Sequence, residues 1–530
     1  MEKLRADSVI TGIETSGVTL RNQCHRFQLV IRSLQSWALY GLQVEVLGNL
    51  KPFVSLGVVD SVPSESIFIG KTDDYVLGGA GSYPDVIRPL KTGDLILPPN
   101  GNRCLWVRVE PNGELPVGNH RITFAVCDSE GKRMGEIGYD LEVLPASLIA
   151  AGIKKTNWIH YDCICREHGV EAFSRGFYEV FEEYLRAYTQ SGFNMLLTPI
   201  FTPPLDTAVG RERMTAQLVG VSVENGKYSF DFSELKRFLE FVLSRGIQYI
   251  EFSHLFTQWG GEHCPKIIAT VNREKKRIFG WENDSLSGEY IEFLDAFLPE
   301  LAGFIRTEGI ADLCCFHLTD EPDQKHLERY KALRSAVKRH LGDLPTIDAL
   351  SNIEFYRQGL VDIPVPETPH AEAFLRERVK DMLVYYCCEP AGDYYSNRFL
   401  NFPLQRLRVF GLQLYLSGVQ GFLHWGFNFW NSGLSYRPID PYSDSNAGGA
   451  FPPGDGFIVY PAEHGVNRSM RSEMMALCFE DYDLLYSLEK KIGRERVTEL
   501  LKNERVDGFT DYPHSAEWHT AFIEKVKRLL

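Results

Sequence analysis

The chain has 530 residues, 44% of them hydrophobic and 24% charged, which excludes disordered, collagen-like and coiled-coil classes. At roughly 150 residues per domain, the length allows two to four domains. Its 56 Lys and Arg against 70 Asp and Glu leave a formal charge of −14, which argues against nucleic acid or an anionic membrane surface as partner.

The opening MEKLRADSVITG carries no apolar run of signal-peptide length, and no stretch of about 18 apolar residues occurs elsewhere. A cytoplasmic protein without a membrane span is expected. The 11 cysteines are an odd count. The neighbours Cys314-Cys315 and Cys387-Cys388 would point to opposite faces of a strand, so reduced cysteines are expected. Up to residue 148, short alternating segments (Phe27–Ile31, Leu42–Val46, Cys104–Val109, His120–Val126) with Gly, Pro and Asn turns predict a β-sandwich. From 149 to 468 the pattern changes to strands alternating with helices. Strands are predicted at Trp158–Ile164, Asn194–Ile200, Gln248–Leu255, Leu313–Thr319, Thr346–Leu350, Ile363–Val365, Met382–Cys387 and Gly421–Phe427. Five helices between them, such as Val170–Gln190 and Ser287–Thr307, complete the grammar of a (β/α)8 barrel. Residues 201–228, 263–284 and 431–467 are read as long loops, which leave room for packing against a second copy of the chain. Residues 469–530 are read as a helical extension packed on the barrel.

The sharpest chemical signal is Cys314-Cys315-Phe316-His317-Leu318-Thr319-Asp320-Glu321-Pro322, an apolar strand ending in two carboxylates. Barrel enzymes place their chemistry at the C-terminal strand ends. Repulsion between adjacent carboxylates spreads their pKa values, so that one can hold a proton as general acid. A helix N-cap with Pro322 in the first turn explains Glu321-Pro322-Asp323 but not the acid pair after the fourth strand. The eighth strand runs into His424-Trp425-Gly426-Phe427-Asn428-Phe429-Trp430. There Trp425 offers a ring face for a sugar and Asn428 a hydrogen-bonding group. Tyr386 ends the seventh strand, His254 the third, and Asp455 lies in a Gly- and Pro-rich loop. No HExxH, HxH, P-loop or GxSxG pattern is present, so neither a metal nor a cofactor is expected.

Several segments together resemble the family 123 glycoside hydrolases. They are Tyr83-Pro84-Asp85, Leu105-Trp106-Val107, His317 to Pro322, Asn397-Arg398-Phe399, Gly421 to Gly426, Asp440-Pro441-Tyr442, Gly454 to Phe457 and Phe479-Glu480-Asp481-Tyr482. The resemblance implies a sandwich followed by a (β/α)8 barrel. It further implies a retaining, exo-acting β-N-acetylgalactosaminidase in which the substrate's 2-acetamido group is the nucleophile. Asp320 would then orient that group and Glu321 would serve as general acid and base, with a tyrosine (Tyr386) on the acetamido group and aromatics (Trp425 and Trp430) packed on the sugar. The family's usual secretion signal is lacking here, which weighs against a polymeric or glycolipid substrate and makes imported oligosaccharides, or a glycoside, the expected substrate. Two alternatives remain from the residues alone. One is a glycosidase with Glu321 as acid and Glu389 as nucleophile, and the other is a carbohydrate-binding protein without catalysis.

Overall fold

The computed structural model describes residues 1–10, 12–65 and 72–530. Two sheets dominate the N-terminal region. The first has the order Ser16–Leu20, Arg133–Leu144, Gly118–Cys127, Leu39–Leu47 and Leu95–Leu97. The second begins His25–Arg32, Asn102–Val109, Val54–Ser64 and Gly81–Pro89. Side chains alternate along Asn102–Val109. Leu105, Val107 and Val109 join Ile122, Phe124 and Leu141 of the first sheet in one apolar cluster. Cys104 and Trp106 point the opposite way, into the core shared with the rest of the chain.

Eight parallel strands follow: β1 Lys154–Asn157, β2 Met195–Thr198, β3 Tyr249–Phe252, β4 Cys314–His317, β5 Thr346–Ala349, β6 Ile363–Val365, β7 Val384–Tyr385 and β8 Gly421–His424. They pair in the order β6-β5-β4-β3-β2-β1-β8-β7. The remaining seam is bridged where Leu383 N donates to Pro364 O (3.2 Å) and Tyr385 N to Pro366 O (3.1 Å). The protein is thus a mixed α/β multidomain chain with a nearly closed eight-stranded parallel barrel.

Seven predicted strands overlap the observed ones, but the first does not. Trp158–Ile164 runs into a helix, Tyr161–His168, stopped by Gly169 at φ +62°. The true β1, Lys154–Asn157, is polar and carries no apolar strand pattern. Thr156 Oγ1 donates to Glu251 (2.8 Å), and the backbone N–H groups of Lys155 and Asn157 reach Asn194 Oδ1 (2.8 Å) and the Tyr188 hydroxyl (2.9 Å). The segments read as loops after β2 and β3 also differ from expectation. They supply Gly220–Glu224, Lys227–Asp231, Ile267–Val271 and Glu274–Phe279 to one four-stranded sheet.

The C-terminal helices are Met470–Ile492, Arg494–Asn503 and Ala516–Leu529. Met470–Ile492 starts at a capping box on Ser469 and packs against Phe410–Ser417 and Gly81–Pro89. The approach to Phe410–Ser417 is so close that a Cβ on Gly411 would lie 1.9 Å from Cys478 O. Just before this helix, the hairpin Tyr460–Ala462 and Gly465–Ser469 adds two strands to the second N-terminal sheet. Sequence patterning gave no sign of that return. Its lock is a buried ion pair. Arg471 Nη2 donates to Asp85 Oδ2 (2.9 Å), and the Tyr460 hydroxyl donates to the same oxygen (2.6 Å). Arg471 Nη1 reaches Gly454 O (2.5 Å) and Phe457 O (2.7 Å).

Removing one partner of a buried ion pair strands the other without water, at a cost of about 3–5 kcal/mol. Asp85→Ala should therefore lower the thermal unfolding midpoint clearly, as read by calorimetry. A midpoint equal to wild type would show that the pair does not hold the two regions together.

Candidate active site

Strand parity decides which side chains reach the barrel interior. On β7 and its approach, Leu383 and Tyr385 point inward, and on β8 Leu423 does so, joined by Cys315, Ile347, Ala349 and Trp158 in one interior cluster. Val384, Tyr386 and Phe422 point outward against the helices. The interior cluster is the floor of a cavity at the C-terminal strand ends. Asp320, Glu321, Trp158, Tyr385, Trp425 and Trp259 are among its walls.

Asp320 and Glu321 sit on the turn after β4, which is tied on both sides. Trp259 N donates to Asp320 O (2.7 Å), and Glu321 N donates to Ala349 O (3.0 Å). Thr319 N and Oγ1 both donate to Asp348 Oδ2 (3.0 Å each), and so does the Tyr330 hydroxyl (2.9 Å). Glu321 adopts φ +47°, and Trp259 adopts φ +58°. Left-handed backbone at non-glycine residues is costly and concentrates at functional sites.

The electrostatics suit acid–base work. Burial, and then the charges of Glu321, Asp348 and Glu251, push the Asp320 carboxyl well above the usual carboxylate range. Among the described residues no hydrogen bond offsets this. Burial also raises Glu321, opposed by the Tyr385 hydroxyl, which donates to Glu321 Oε1 (2.9 Å). Beneath the pair, buried Glu251 accepts from Trp158 Nε1 (2.9 Å) and pairs with His317 Nε2. The Trp158 ring is thereby fixed in the cavity floor.

Other expected site residues are placed as follows. Trp425 lines the cavity. Asp455 is fully buried behind it, accepting from Trp425 Nε1 (3.0 Å) and Cys388 Sγ (3.3 Å). Burial alone would raise Asp455, but its bond to His424 and the Arg398 charge outweigh that and hold its carboxyl below the usual range. Asp455 thus positions Trp425 and is not part of the wall. Tyr386 faces away from the cavity, its hydroxyl on Met475 Sδ (3.5 Å), because it has the outward parity of β7. Its neighbour Tyr385 has the place expected for it. Asn428 is buried against His160, accepting from His160 N (2.9 Å) and donating to His160 O (3.1 Å). Trp430 is a core residue whose Nε1 reaches Val459 O (3.3 Å). His254 stacks on His317 with ring centroids 4.4 Å apart, below the floor. Glu389 is exposed and is not part of the cavity wall.

Sequence reasoning missed Tyr385, Trp259 and Asp206. Strand alternation from Leu383 could have found Tyr385. Trp259, 43% exposed at the rim, and Asp206 lie on loops without period. Asp206 lines the cavity and accepts from Leu434 N (2.8 Å). Burial first of all pushes its carboxyl up to about 6.

With this geometry described, similarities to known proteins can be stated. A family model described as "Glycoside hydrolase 123, catalytic domain" matches residues 158–488. No curated protein sequence matches the chain. Among solved structures, a family 123 glycoside hydrolase from Clostridium perfringens, studied for glycolipid glycan hydrolysis, superposes with a TM-score of 0.72 at 15% identity, covering 97% of this chain and 92% of that one. A putative beta-galactosidase from Bacteroides fragilis reaches only 0.34 at 11% identity, over 86% of this chain and 60% of that one. The family match spans well over half of the chain and includes β4 to β8, Asp320 and Glu321, so the chain belongs to glycoside hydrolase family 123.

Proposed function

We propose that the protein is a retaining, exo-acting β-N-acetylhexosaminidase, with terminal β-linked N-acetylgalactosamine as the preferred sugar, working by substrate assistance. The observation that carries this reading is the pairing of two unlike carboxyls on one turn. Glu321 at the cavity mouth is held by Tyr385, while Asp320 faces the aromatic pocket without a donor among the described residues. A sugar's 2-acetamido N–H is a donor of the right kind for Asp320. Its arrival would stabilise the charged form of Asp320 and leave the shared proton on Glu321.

In the first step Glu321 protonates the glycosidic oxygen while the acetamido carbonyl oxygen attacks the anomeric carbon. An oxazolinium ion forms and the leaving alcohol departs. In the second step Glu321 takes a proton from water as that water attacks the same carbon, which restores the acetamido group with retained configuration. Asp320 accepts from the acetamido nitrogen throughout. Trp158 and Trp425 supply apolar faces for the ring, and Asp206 an acceptor for a sugar hydroxyl. Glu321 lines the cavity and Glu389 does not, which favours this route over one with Glu389 as nucleophile. The N-terminal sheets fit a β-sandwich of residues 1–148, the barrel occupies 149–468, and the helical extension is 469–530.

General acid–base catalysis is worth about 10²–10⁴-fold. Glu321→Gln should therefore lower kcat/KM on aryl β-N-acetylgalactosaminide by that range, and Glu389→Gln should leave it near wild type. Cleavage of aryl β-galactoside in preference to the N-acetyl substrate would overturn the reading.

The alkaline limb of the pH–rate profile should follow the Glu321 proton. Tyr385→Phe removes a donor to the charged form, raises the Glu321 pKa and moves the limb to higher pH. Asp320→Asn removes a neighbouring negative charge, lowers the Glu321 pKa and moves the limb to lower pH. Shifts in the same direction would contradict the assignment of Glu321 as the acid.

A further inference from the structure

The bend that follows β7 brings two thiols to the wall of the catalytic cavity. On a strand, neighbours face opposite ways, as Cys314 and Cys315 of β4 do: Cys315 joins the interior cluster and Cys314 the outer one. Cys387 and Cys388 lie past the end of β7 at Tyr385, and both line the cavity beside Glu321, Tyr385 and Trp425. Both are half-buried and free. The bend is rigid. Cys387 N donates to Glu389 O (2.9 Å), and Asn397 Nδ2 donates to Cys387 O (2.9 Å) and Pro390 O (3.1 Å). Cys388 Sγ donates to Asp455 Oδ2 (3.3 Å), the oxygen that also accepts from Trp425 Nε1 (3.0 Å).

The surroundings set the chemistry of the pair. Contact with the Cys387 thiol, then burial and the Asp455 charge, push Cys388 well above the usual thiol range. Contact with Cys388 lowers Cys387, but burial and the charges of Glu321, Asp455 and Glu367 outweigh it, so that thiol is raised as well. Thiols held neutral are poor nucleophiles toward oxidants and disulfides. Nor is a third metal ligand in place: among the described residues no three His, Cys, Asp or Glu side chains are grouped to hold a metal ion. The ligand that fits needs two neighbouring sulfurs, no third donor and no prior ionisation. We infer that Cys387 and Cys388 form a dithiol site for neutral trivalent organoarsenicals, and that occupying it closes the catalytic cavity. In R–As(OH)2 each hydroxide leaves as water with one thiol proton. Two As–O and two S–H bonds break, two As–S and two O–H bonds form, and neither charge nor oxidation state changes. A neutral product suits a wall flanked by Glu321 and Asp455. It removes the S–H that Asp455 accepts from, and it places R in the cavity that both sulfurs line. The resulting loss of hydrolysis rests on the glycosidase reading above.

The probe is phenylarsine oxide, whose hydrate is such a dihydroxide. Intact-mass spectrometry of the native protein should show one equivalent taken up, and peptide mapping should find it on Cys387 and Cys388. The kcat/KM on aryl β-N-acetylgalactosaminide should fall in step with uptake and return when excess dithiothreitol removes the arsenic. A second bond on one ligand adds about 10²–10⁴-fold to the affinity of the first, so Cys387→Ser and Cys388→Ser should each weaken uptake about 100-fold or more. Mapping on wild type needs neither variant to fold. No uptake at stoichiometric probe, uptake mapped to other cysteines, or unchanged affinity in a folded variant overturns the site. Uptake at Cys387 and Cys388 with undiminished hydrolysis overturns the closure of the cavity. Uptake there by a protein that hydrolyses no N-acetyl substrate upholds the dithiol site and overturns the glycosidase reading instead.

Discussion

The whole site depends on one backbone constraint. Consecutive residues leaving a strand normally face opposite ways, yet Asp320 and Glu321 open onto the same cavity. The left-handed φ of +47° at Glu321 permits this. A non-glycine residue in that region costs on the order of 1–3 kcal/mol and survives only when its surroundings overdetermine it. Here they do. The turn is bonded to the loop after β3 through Trp259, to the end of β5 through Ala349, and to buried Asp348 through Thr319. Both flanking strands must therefore be in place for the acid pair to exist, which couples the chemistry to closure of the barrel.

A second layer of buried polar groups sets the charge of that pair. Glu251, Asp348 and Asp455 all lie under or beside it. Each has its own partners, so the layer is rigid: Thr156, Trp158 and His317 for Glu251, Thr319 and Tyr330 for Asp348, Trp425 and Cys388 for Asp455. Their negative charge disfavours ionisation of Asp320 and Glu321 together. The same contacts fix Trp158 and Trp425. One set of carboxylates thus tunes the acids and also orients the aromatic walls.

The sequence made much of this legible and left the rest hidden for identifiable reasons. Apolar runs of strand length located seven barrel strands, and the Asp-Glu-Pro ending of β4 stood out against them. The polar β1 is invisible to an apolar pattern because Thr156 and the amides of Lys155 and Asn157 find their partners far away in the chain. Choosing Tyr386 over Tyr385 is a one-residue error that flips a side chain to the other face of a strand. Trp430, Asn428 and His254 have the residue types of a sugar site, yet Trp430 and Asn428 are hydrogen-bonded within the core and His254 is stacked on His317, and residue type alone cannot show that. The return of 460–469 to the N-terminal sheet is a pairing across more than 350 residues, sealed by Asp85 and Arg471. The short Tyr83-Pro84-Asp85 segment marked one end of it without saying why.

The claim that the substrate's own acetamido oxygen is the nucleophile has a direct test. Aryl β-N-acetylgalactosaminides carrying zero, one, two or three fluorines on the acetyl methyl form a series in which that oxygen becomes steadily less nucleophilic. The arrangement of Asp320 and Glu321 predicts that kcat/KM falls steeply with each fluorine. A flat dependence would place the nucleophile on the protein and contradict the account.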